Sequence, residues 1–291
     1  MIVSKQASPR VAGFYDPATS SIQYVVVDEA TKRCAIIDPV LDFDEKSGTV
    51  STKNADALLD YVAQEGLELE WILDTHPHAD HFSAAHYLKD KTGAPTAIGE
   101  KIVEVQKLWK DIYNLPDFPC DGSQWDKLFA DGERFSLGET QADVLFSPGH
   151  TLASITYVFG DAAFIHDTMF MPDSGTARAD FPGGSALSLW RSIQRILALP
   201  EDTRLFVGHD YQPGGRAALW QTTVAEQKKN NVHVASSQTE AAFVEMRQAR
   251  DKTLSMPRLI LHALQVNMNG GRLPEPEANG RRYLKFPLGA L

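Results

Sequence analysis

Cysteine and long apolar runs are both scarce in this chain of 291 residues. The only two cysteines, Cys34 and Cys120, are too few for a disulfide framework or a cysteine metal cluster, so we expect both to be reduced. No apolar run approaches the roughly 20 residues that cross a bilayer, and residues 1–6 lack the apolar segment of a secretory signal. The sequence therefore predicts a cytoplasmic protein that has no membrane partner.

Positive charge is also in deficit, because 28 lysines and arginines stand against 38 aspartates and glutamates, for a formal net charge of −10. A nucleic-acid partner needs a basic surface, so we expect none. An anionic substrate would have to be bound by individual arginines. With 43% hydrophobic and 23% charged residues, the composition is that of a globular protein with a sizeable core, and it leaves a homo-oligomer open.

Strand-like runs alternate with helical patterns along the chain. Residues 22–27 and 34–39 flank a polar turn and predict a hairpin, which a helix over residues 54–65 and a strand over 67–73 follow. Further strands are predicted near residues 134–136, 142–146, 155–159, 162–165 and 203–207, and further helices over 100–113, 185–199, 214–230 and 238–252. The pattern of strands with intervening helices occurs twice along the chain. It favours two sheets that pack face to face, with a layer of helices on each outer side.

Two further features concern helix ends and domain limits. Asp80 is predicted to cap a helix that runs through Lys89 and ends at Gly93. Asn269 and the glycines after it mark a loop-like tail. We expect a catalytic domain over residues 1–230, with residues 231–291 as a helical extension and tail packed on the same domain.

The densest group of metal-binding residue types lies directly after the apolar run 71–73. It comprises His76, His78, Asp80 and His81. Histidine is costly to bury without partners, whereas neutral imidazoles and a carboxylate that converge on one point are what a divalent metal needs. A solvated histidine-rich loop is the alternative, and the spacing at a strand end favours the metal site.

Three more residues of these types follow apolar runs later in the chain. They are His150, Asp167 and His209. Each alone is a weak signal, because a histidine or aspartate beside a glycine is commonly a turn residue. Strand ends that feed loops are where rigid scaffolds display reactive groups, so we expect these side chains at the same sheet edge as the first group. The sequence thus offers seven candidate ligands.

These residues, in this order, resemble the metallo-β-lactamase superfamily, whose H-x-H-x-D-H loop, later Gly-His, carboxylate and final histidine match residues 76–81, 150, 167 and 209. The resemblance spans about residues 20–215 and implies an α+β fold, an αββα sandwich with metal at one sheet edge. His166 departs from the glycine usual before the carboxylate. Because a strand alternates its side chains between faces, His166 should point away from Asp167 as a packed or surface histidine.

The R-x-D-F motif at residues 178–181 resembles the loop of the sulfur (persulfide) dioxygenases, which oxidise glutathione persulfide with O2 to sulfite and glutathione. This resemblance implies one Fe(II) per chain, held by His76, His150 and Asp167. Two imidazoles and one carboxylate form the facial arrangement of non-haem iron oxygenases, with positions open to O2 and sulfur. The remaining donors would be orienting neighbours or a vestigial second site: His78, Asp80, His81 and His209.

A dinuclear thioester hydrolase of the glyoxalase II type is the alternative enzyme. It would use all seven donors for two Zn(II) ions and activate a bridging hydroxide. The sequence retains every ligand that either mechanism needs, so the ligands alone do not separate the two. A metal- or redox-sensing binding protein is a third and weaker hypothesis, because open coordination positions suit catalysis better.

Substrate residues are predicted less sharply than the ligands. Arg178 is expected to bind a glutathione carboxylate, with Asp180 orienting its loop, although a purely local ion pair between the two is an alternative. Tyr211 is expected to bring its hydroxyl near the substrate, or else to be a packed aromatic residue. The expected partners are glutathione persulfide and O2.

Overall fold

The computed structural model describes residues 8–235 and 238–289, and most of its strands form two six-stranded sheets. The first sheet, in order, is β1 (Arg10–Asp16), β2 (Ser21–Asp28), β3 (Arg33–Ile37), β6 (Glu68–Leu73), β8 (Thr96–Gly99) and β9 (Lys127–Phe129). The second is β10 (Arg134–Leu137), β11 (Thr140–Phe146), β12 (Ile155–Phe159), β13 (Ala162–His166), β14 (Arg204–Val207) and β15 (Gln221–Thr223). A small sheet contains β5 (Thr49–Ser51), β4 (Val40–Asp44) and β7 (Phe82–Ser83). Residues 1–6, on which the expectation about a secretory signal falls, lie outside the described residues.

Helices cover the outer faces of both sheets. They are α1 (Lys53–Gln64), α2 (Ala85–Thr92), α3 (Ile102–Tyr113), α4 (Ala186–Leu197), α5 (Val224–Asn230), α6 (Glu240–Asp251) and α7 (Ile260–Asn267). The main core lies between the sheets, where Tyr24 and Ile37 of the first pack with Tyr157 and Phe164 of the second. The predicted αββα sandwich is confirmed. None of the helices in the described part of the chain is long and apolar enough to cross a bilayer.

Parallel neighbours explain why the candidate ligands share one edge. β3 pairs with β6, and β13 pairs with β14, in parallel, so each pair ends at the same side of its sheet. Asp38 follows β3, Thr75 and His76 follow β6 closely, and Asp167 follows β13 directly. The same edge is closed by hydrogen bonds between the sheets, such as Ile22 N–H to Gly208 O (2.9 Å).

The predicted cap at Asp80 is wrong. Helix α2 begins at Ala85, with Ala84 at its N-cap, and it ends at Gly93 as expected, with φ of 74°. The Asp80 carboxylate instead accepts a hydrogen bond from the Ser21 hydroxyl (3.0 Å) and lies near His209.

The single helix predicted over residues 214–230 is also wrong. Gly214 and Gly215 have left-handed φ values of 69° and 76°, which end a short 3-10 turn. An extended segment and β15 follow, and α5 begins only after Thr223, whose hydroxyl accepts the Glu226 N–H (3.1 Å). Helix α7 lies in a stretch that the sequence pattern left unassigned. The predicted domain limit at residue 230 stays a prediction.

Candidate metal centre

His76, His150 and Asp167 converge at the shared sheet edge. All three are buried, and one ligand atom from each lies within 4.8 Å of the others. Asp167 Oδ2 lies 3.5 Å from His150 Nε2 and 4.0 Å from His76 Nε2. His76 Nε2 and Asp167 Oδ1 are buried without a hydrogen-bond partner among the described residues. Because such orphaned atoms are costly, this donor set fits a divalent metal ion.

The second nitrogen of each histidine is fixed by a neighbour. His150 Nδ1 lies 2.9 Å from the backbone oxygen of Arg178, which can only accept, so Nδ1 carries the proton. His76 Nδ1 lies 2.9 Å from the Thr75 hydroxyl, which in turn donates to Asp38 Oδ2 (2.7 Å). The hydroxyl therefore accepts from His76 Nδ1–H. Both histidines are left with an Nε2 lone pair that faces the centre, as metal ligands require.

Asp38 contacts two residues of the first half of the histidine loop, Thr75 and His78. Besides the Thr75 hydroxyl, it accepts the Thr75 backbone N–H (2.7 Å), and its Oδ1 lies 3.1 Å from His78 Nε2. Burial lowers the pKa of His78, but the neighbouring Asp38 carboxylate outweighs it and raises that pKa to about 9. His78 thus lies against Asp38 and does not belong to the group of His76, His150 and Asp167. The sequence analysis did not predict a role for Asp38, although Asp38 follows a buried strand, β3, as the other candidate residues follow theirs.

A second group lies beside the first. His78, Asp80 and His81 have ligand atoms within 4.8 Å of one another. His209 Nε2 lies between the groups, 3.4 Å from Asp80 Oδ2 and 3.3 Å from Asp167 Oδ2. Burial lowers the pKa of His209, yet the two carboxylates raise it to about 10. All seven predicted donors are therefore brought together, as two groups joined by His209, and a metal at His209 would have to displace a proton.

Two glycines permit this close arrangement. A Cβ on Gly208 would lie 2.5 Å from Asp167 Oδ1, so any side chain there would displace the carboxylate. Gly149 has φ of 139°, and a Cβ would lie 2.3 Å from the backbone of Leu189 in α4. Glycine therefore precedes His209 because a side chain there would meet the Asp167 carboxylate. Glycine precedes His150 because α4 approaches the backbone closely at that point.

His166 is packed beneath the site and is not part of either ligand group. Its Nε2 lies 2.8 Å from the Ser147 hydroxyl and 3.0 Å from the Thr168 hydroxyl. Its φ of 40° is left-handed, a conformation in which glycine is favoured. Burial lowers the pKa of His166 to about 3, so this histidine is neutral.

The R-x-D-F loop reaches the centre through its backbone. Arg178 donates through Nε and Nη2 to Asp180 (2.6 and 2.8 Å) and through Nη1 to the Ser255 oxygen (2.6 Å). The predicted local ion pair is therefore present. Asp251 of α6 accepts the Ala179 N–H (3.0 Å) and so holds the loop that orients His150. Substrate binding by Arg178 and loop orientation by Asp180 stay predictions.

A pocket of about 480 Å³ opens over the metal donors. Its walls include apolar side chains, and arginines lie at its mouth: Phe170, Phe181, Leu254, Leu259, Arg178, Arg250 and Arg258. The exposed Arg250 forms no ion pair with any residue that the structure describes, and Arg258 has only a long contact to Glu45 (3.5 Å). The Tyr211 ring stacks on His209 at 5.5 Å while 58% of the residue is exposed. A substrate role for Tyr211 stays a prediction.

Comparison with known proteins places these residues in a family. The model of the metallo-beta-lactamase superfamily matches residues 19–209. The chain is 70% identical over 284 residues to the beta-lactamase hydrolase-like protein of Xylella fastidiosa, a match that covers 98% of this chain. The chain spans only 66% of that relative's length.

Other relatives carry enzyme names of two kinds. Glyoxylase B2 of Dictyostelium discoideum is 50% identical, over 97% of this chain and 98% of its own length. Hydroxyacylglutathione hydrolase of Rhodospirillum rubrum is 32% identical, over 67% of this chain and 65% of its own. The human mitochondrial persulfide dioxygenase ETHE1 is 26% identical, over 88% of this chain and 87% of its own. The crystal structure of ETHE1 from Myxococcus xanthus superposes with a TM-score of 0.72 at 30% identity, covering 90% of this chain and all of that one.

Proposed function

The chain belongs to the metallo-beta-lactamase superfamily, and from its metal centre we propose that it is a persulfide dioxygenase with one Fe(II) per chain. The observation that carries the proposal is that His76, His150 and Asp167 form one buried group, while His78, in a separate group, lies against Asp38. Two imidazoles and one carboxylate are the ligand set of non-haem iron oxygenases.

The similarity to the two ETHE1 proteins extends over most of the chain, with matches that cover 88% and 90% of its length. The Glyoxylase B2 match covers 97%, so coverage does not separate the two candidate functions. The C-terminal helices matter here, because α6 holds the loop that orients His150. The activity, substrates and partners of the whole protein are part of this proposal.

A dinuclear thioester hydrolase is the second candidate function. The enzyme names among the more similar relatives favour it, since Glyoxylase B2 is 50% identical and the human persulfide dioxygenase only 26%. The position of His209 between Asp80 and Asp167 also suits a second metal ion. Two zinc ions are the cofactors this candidate implies.

Each part of the pocket has a distinct task in the proposed reaction. Ferrous iron, held by His76, His150 and Asp167, would supply the O2 chemistry that oxidation of sulfur needs. Thr75 and the Arg178 carbonyl keep the His76 and His150 lone pairs directed at the centre. Arg250 and Arg258 attract the carboxylates of glutathione persulfide, and Phe170 and Phe181 exclude water from its sulfurs. Overall, one persulfide, one O2 and one water give one thiol and one sulfurous acid, which ionises to sulfite.

Metal analysis and paired assays test the proposal on one anaerobically prepared sample. We expect one iron per chain, O2 uptake and sulfite release in a one-to-one ratio with glutathione persulfide, and slow cleavage of S-lactoylglutathione. Two tightly bound zinc ions per active chain, with fast thioester cleavage and no persulfide-dependent O2 uptake, would establish the hydrolase instead. Both cysteines are free, which suits the cytoplasmic location that we continue to propose.

A further inference from the structure

Asn267, the last residue of α7, is buried with 2% of its surface exposed, and its side chain contacts the histidine loop. Its Nδ2 donates to the backbone oxygens of His78 and His81, both at 2.7 Å. Its Oδ1 accepts the Ser83 N–H, also at 2.7 Å. An amide has two N–H groups and one oxygen, so every polar group of this side chain is directed at residues 78–83.

The other end of the loop does not depend on this contact. Thr75 is fixed by two hydrogen bonds to Asp38, which follows β3, and the Thr75 hydroxyl accepts from His76 Nδ1–H. Residues 78–83 form only the two-residue strand β7, which pairs with β4 in the small sheet. Asn267 therefore supplies three polar links between the second half of the loop and the rest of the protein, beside the contacts of His78 with Asp38 and of Asp80 with Ser21. It lies beyond residues 19–209 that match the family model.

Helix α7 is itself anchored by contacts away from the loop. The Tyr113 hydroxyl of α3 donates to the Leu261 oxygen (2.9 Å), and Gln106 donates to the Met268 oxygen (3.0 Å). Immediately after the helix, Gly271 lies so close that a Cβ there would be 2.5 Å from the Ser83 oxygen. The contacts with α3 thus hold helix α7 independently of the residues that Asn267 binds, and Gly271 adds a close approach to one of those residues, Ser83.

A shift of residues 78–81 would also move the metal donors, because these residues contact side chains of the centre. Asp80 lies 3.4 Å from His209, and His209 lies 3.3 Å from Asp167. The His78 ring packs 4.1 Å from the ring of His76. Loss of the two Asn267 donors would also leave the backbone oxygens of His78 and His81 without these partners, and a buried carbonyl without a partner is unfavourable.

We propose that Asn267 is a positioning residue, which fixes the backbone of His78 and His81 and thereby governs how firmly the centre retains its metal. This inference rests on the metal centre of the proposed function, but it does not depend on which reaction the metal serves. It assigns to the C-terminal helix a part in metal binding that the ligand motif alone does not contain.

The test compares Asn267→Asp with wild type in protein reconstituted with Co(II). Aspartate keeps the shape and the oxygen that accepts from Ser83 but lacks the two N–H donors. We expect metal affinity to fall about 10- to 100-fold, as for other residues that orient ligands, and the visible Co(II) spectrum to shift. The matched control is Gln265→Ala on the same helix, because Gln265 bonds to Leu261 and Lys285 and not to the loop. That control should keep wild-type affinity and spectrum.

Further measurements keep the outcome decisive. Asn267→Ser retains one donor through its hydroxyl, so its metal affinity should lie between those of wild type and Asn267→Asp. This variant replaces Asn267→Asp in the comparison if the aspartate variant does not fold. Unfolding temperatures of the metal-free proteins verify folding. Wild-type affinity and spectrum in a folded Asn267→Asp or Asn267→Ser would overturn the proposal, as would an equal loss in Gln265→Ala. A failure of the proposed dioxygenase reaction would be visible in the wild type alone, without any effect on these comparisons.

Discussion

Arg250 and Arg258 line the pocket, and their charges are not neutralised by a close ion pair with any residue that the structure describes. Arg178, in contrast, is already bound to Asp180 and Ser255. On a chain with net charge −10, these two arginines are the groups expected to attract an anionic substrate.

We predict that Arg250→Gln combined with Arg258→Gln raises KM about 5-fold at low salt and leaves kcat near the wild-type value, since exposed charge pairs contribute up to about 1 kcal/mol. The difference from wild type should shrink at high ionic strength, because salt screens exposed charges. Arg191→Gln is the control, as Arg191 is an exposed arginine of α4 outside the pocket. Unchanged steady-state kinetics in the double variant would contradict the assignment.

The seven candidate ligands could be predicted from sequence because each follows an apolar strand, so the local pattern contains the signal. Asp38 carries the same signal, after β3, and could have been found in the same way. Asn267 could not, because it stands beside Met268 and a glycine pair in a segment that resembles a turn. Its role arises from a contact with residues nearly two hundred positions earlier, and nothing local encodes that contact.

At the scale of elements, strands and amphipathic helices were largely predictable, and short segments were not. The boundaries of α1 and α4 fall close to the predicted ones because each has a continuous apolar stripe. The sequence predicts one continuous helix over residues 214–230. Two glycines with positive φ and the ion pairs of Arg216 with Asp173 and Asp210 instead keep this chain extended.

One of the residues that hold the loop after β13 is a histidine that follows α5, His233. His233 Nδ1 accepts the Thr176 N–H (3.0 Å), a bond that requires unprotonated Nδ1. Burial, with Arg247 and Arg250 nearby, lowers the pKa of His233 to about 4. In the unfolded chain its pKa would be about 6.5. Between these values the unfolded state binds more protons, so this group makes the protein less stable as the pH falls from about 6.5 towards about 4.

We predict that His233→Asn, which retains an acceptor without titrating, reduces the loss of stability across this pH window. The measurement is the denaturant unfolding free energy of metal-free wild type and variant at several pH values. Other buried histidines titrate in both proteins, so the difference between the two curves isolates His233. Parallel curves for the two proteins would contradict the prediction.

At the scale of the whole molecule, the centre lies where the two sheets meet. His76 comes from the first sheet, and His150 and Asp167 come from the second. The edge between them is also joined by the Tyr24 hydroxyl, which donates to the Val207 oxygen (2.5 Å). The ligand set is therefore complete only when the sandwich has closed.

This placement has a consequence for the lifetime of the folded state. An ion bound between the sheets would be a cross-link, and we expect it to form late in folding, so that its stabilisation is absent from much of the transition state. We predict that metal loading slows unfolding in stopped-flow denaturant jumps by nearly the whole factor by which it shifts the equilibrium, and leaves the refolding rate unchanged. Faster refolding of the loaded protein would mean that the donors assemble early. If loading slows unfolding as predicted, the metal sets how long each molecule survives as well as what it can catalyse.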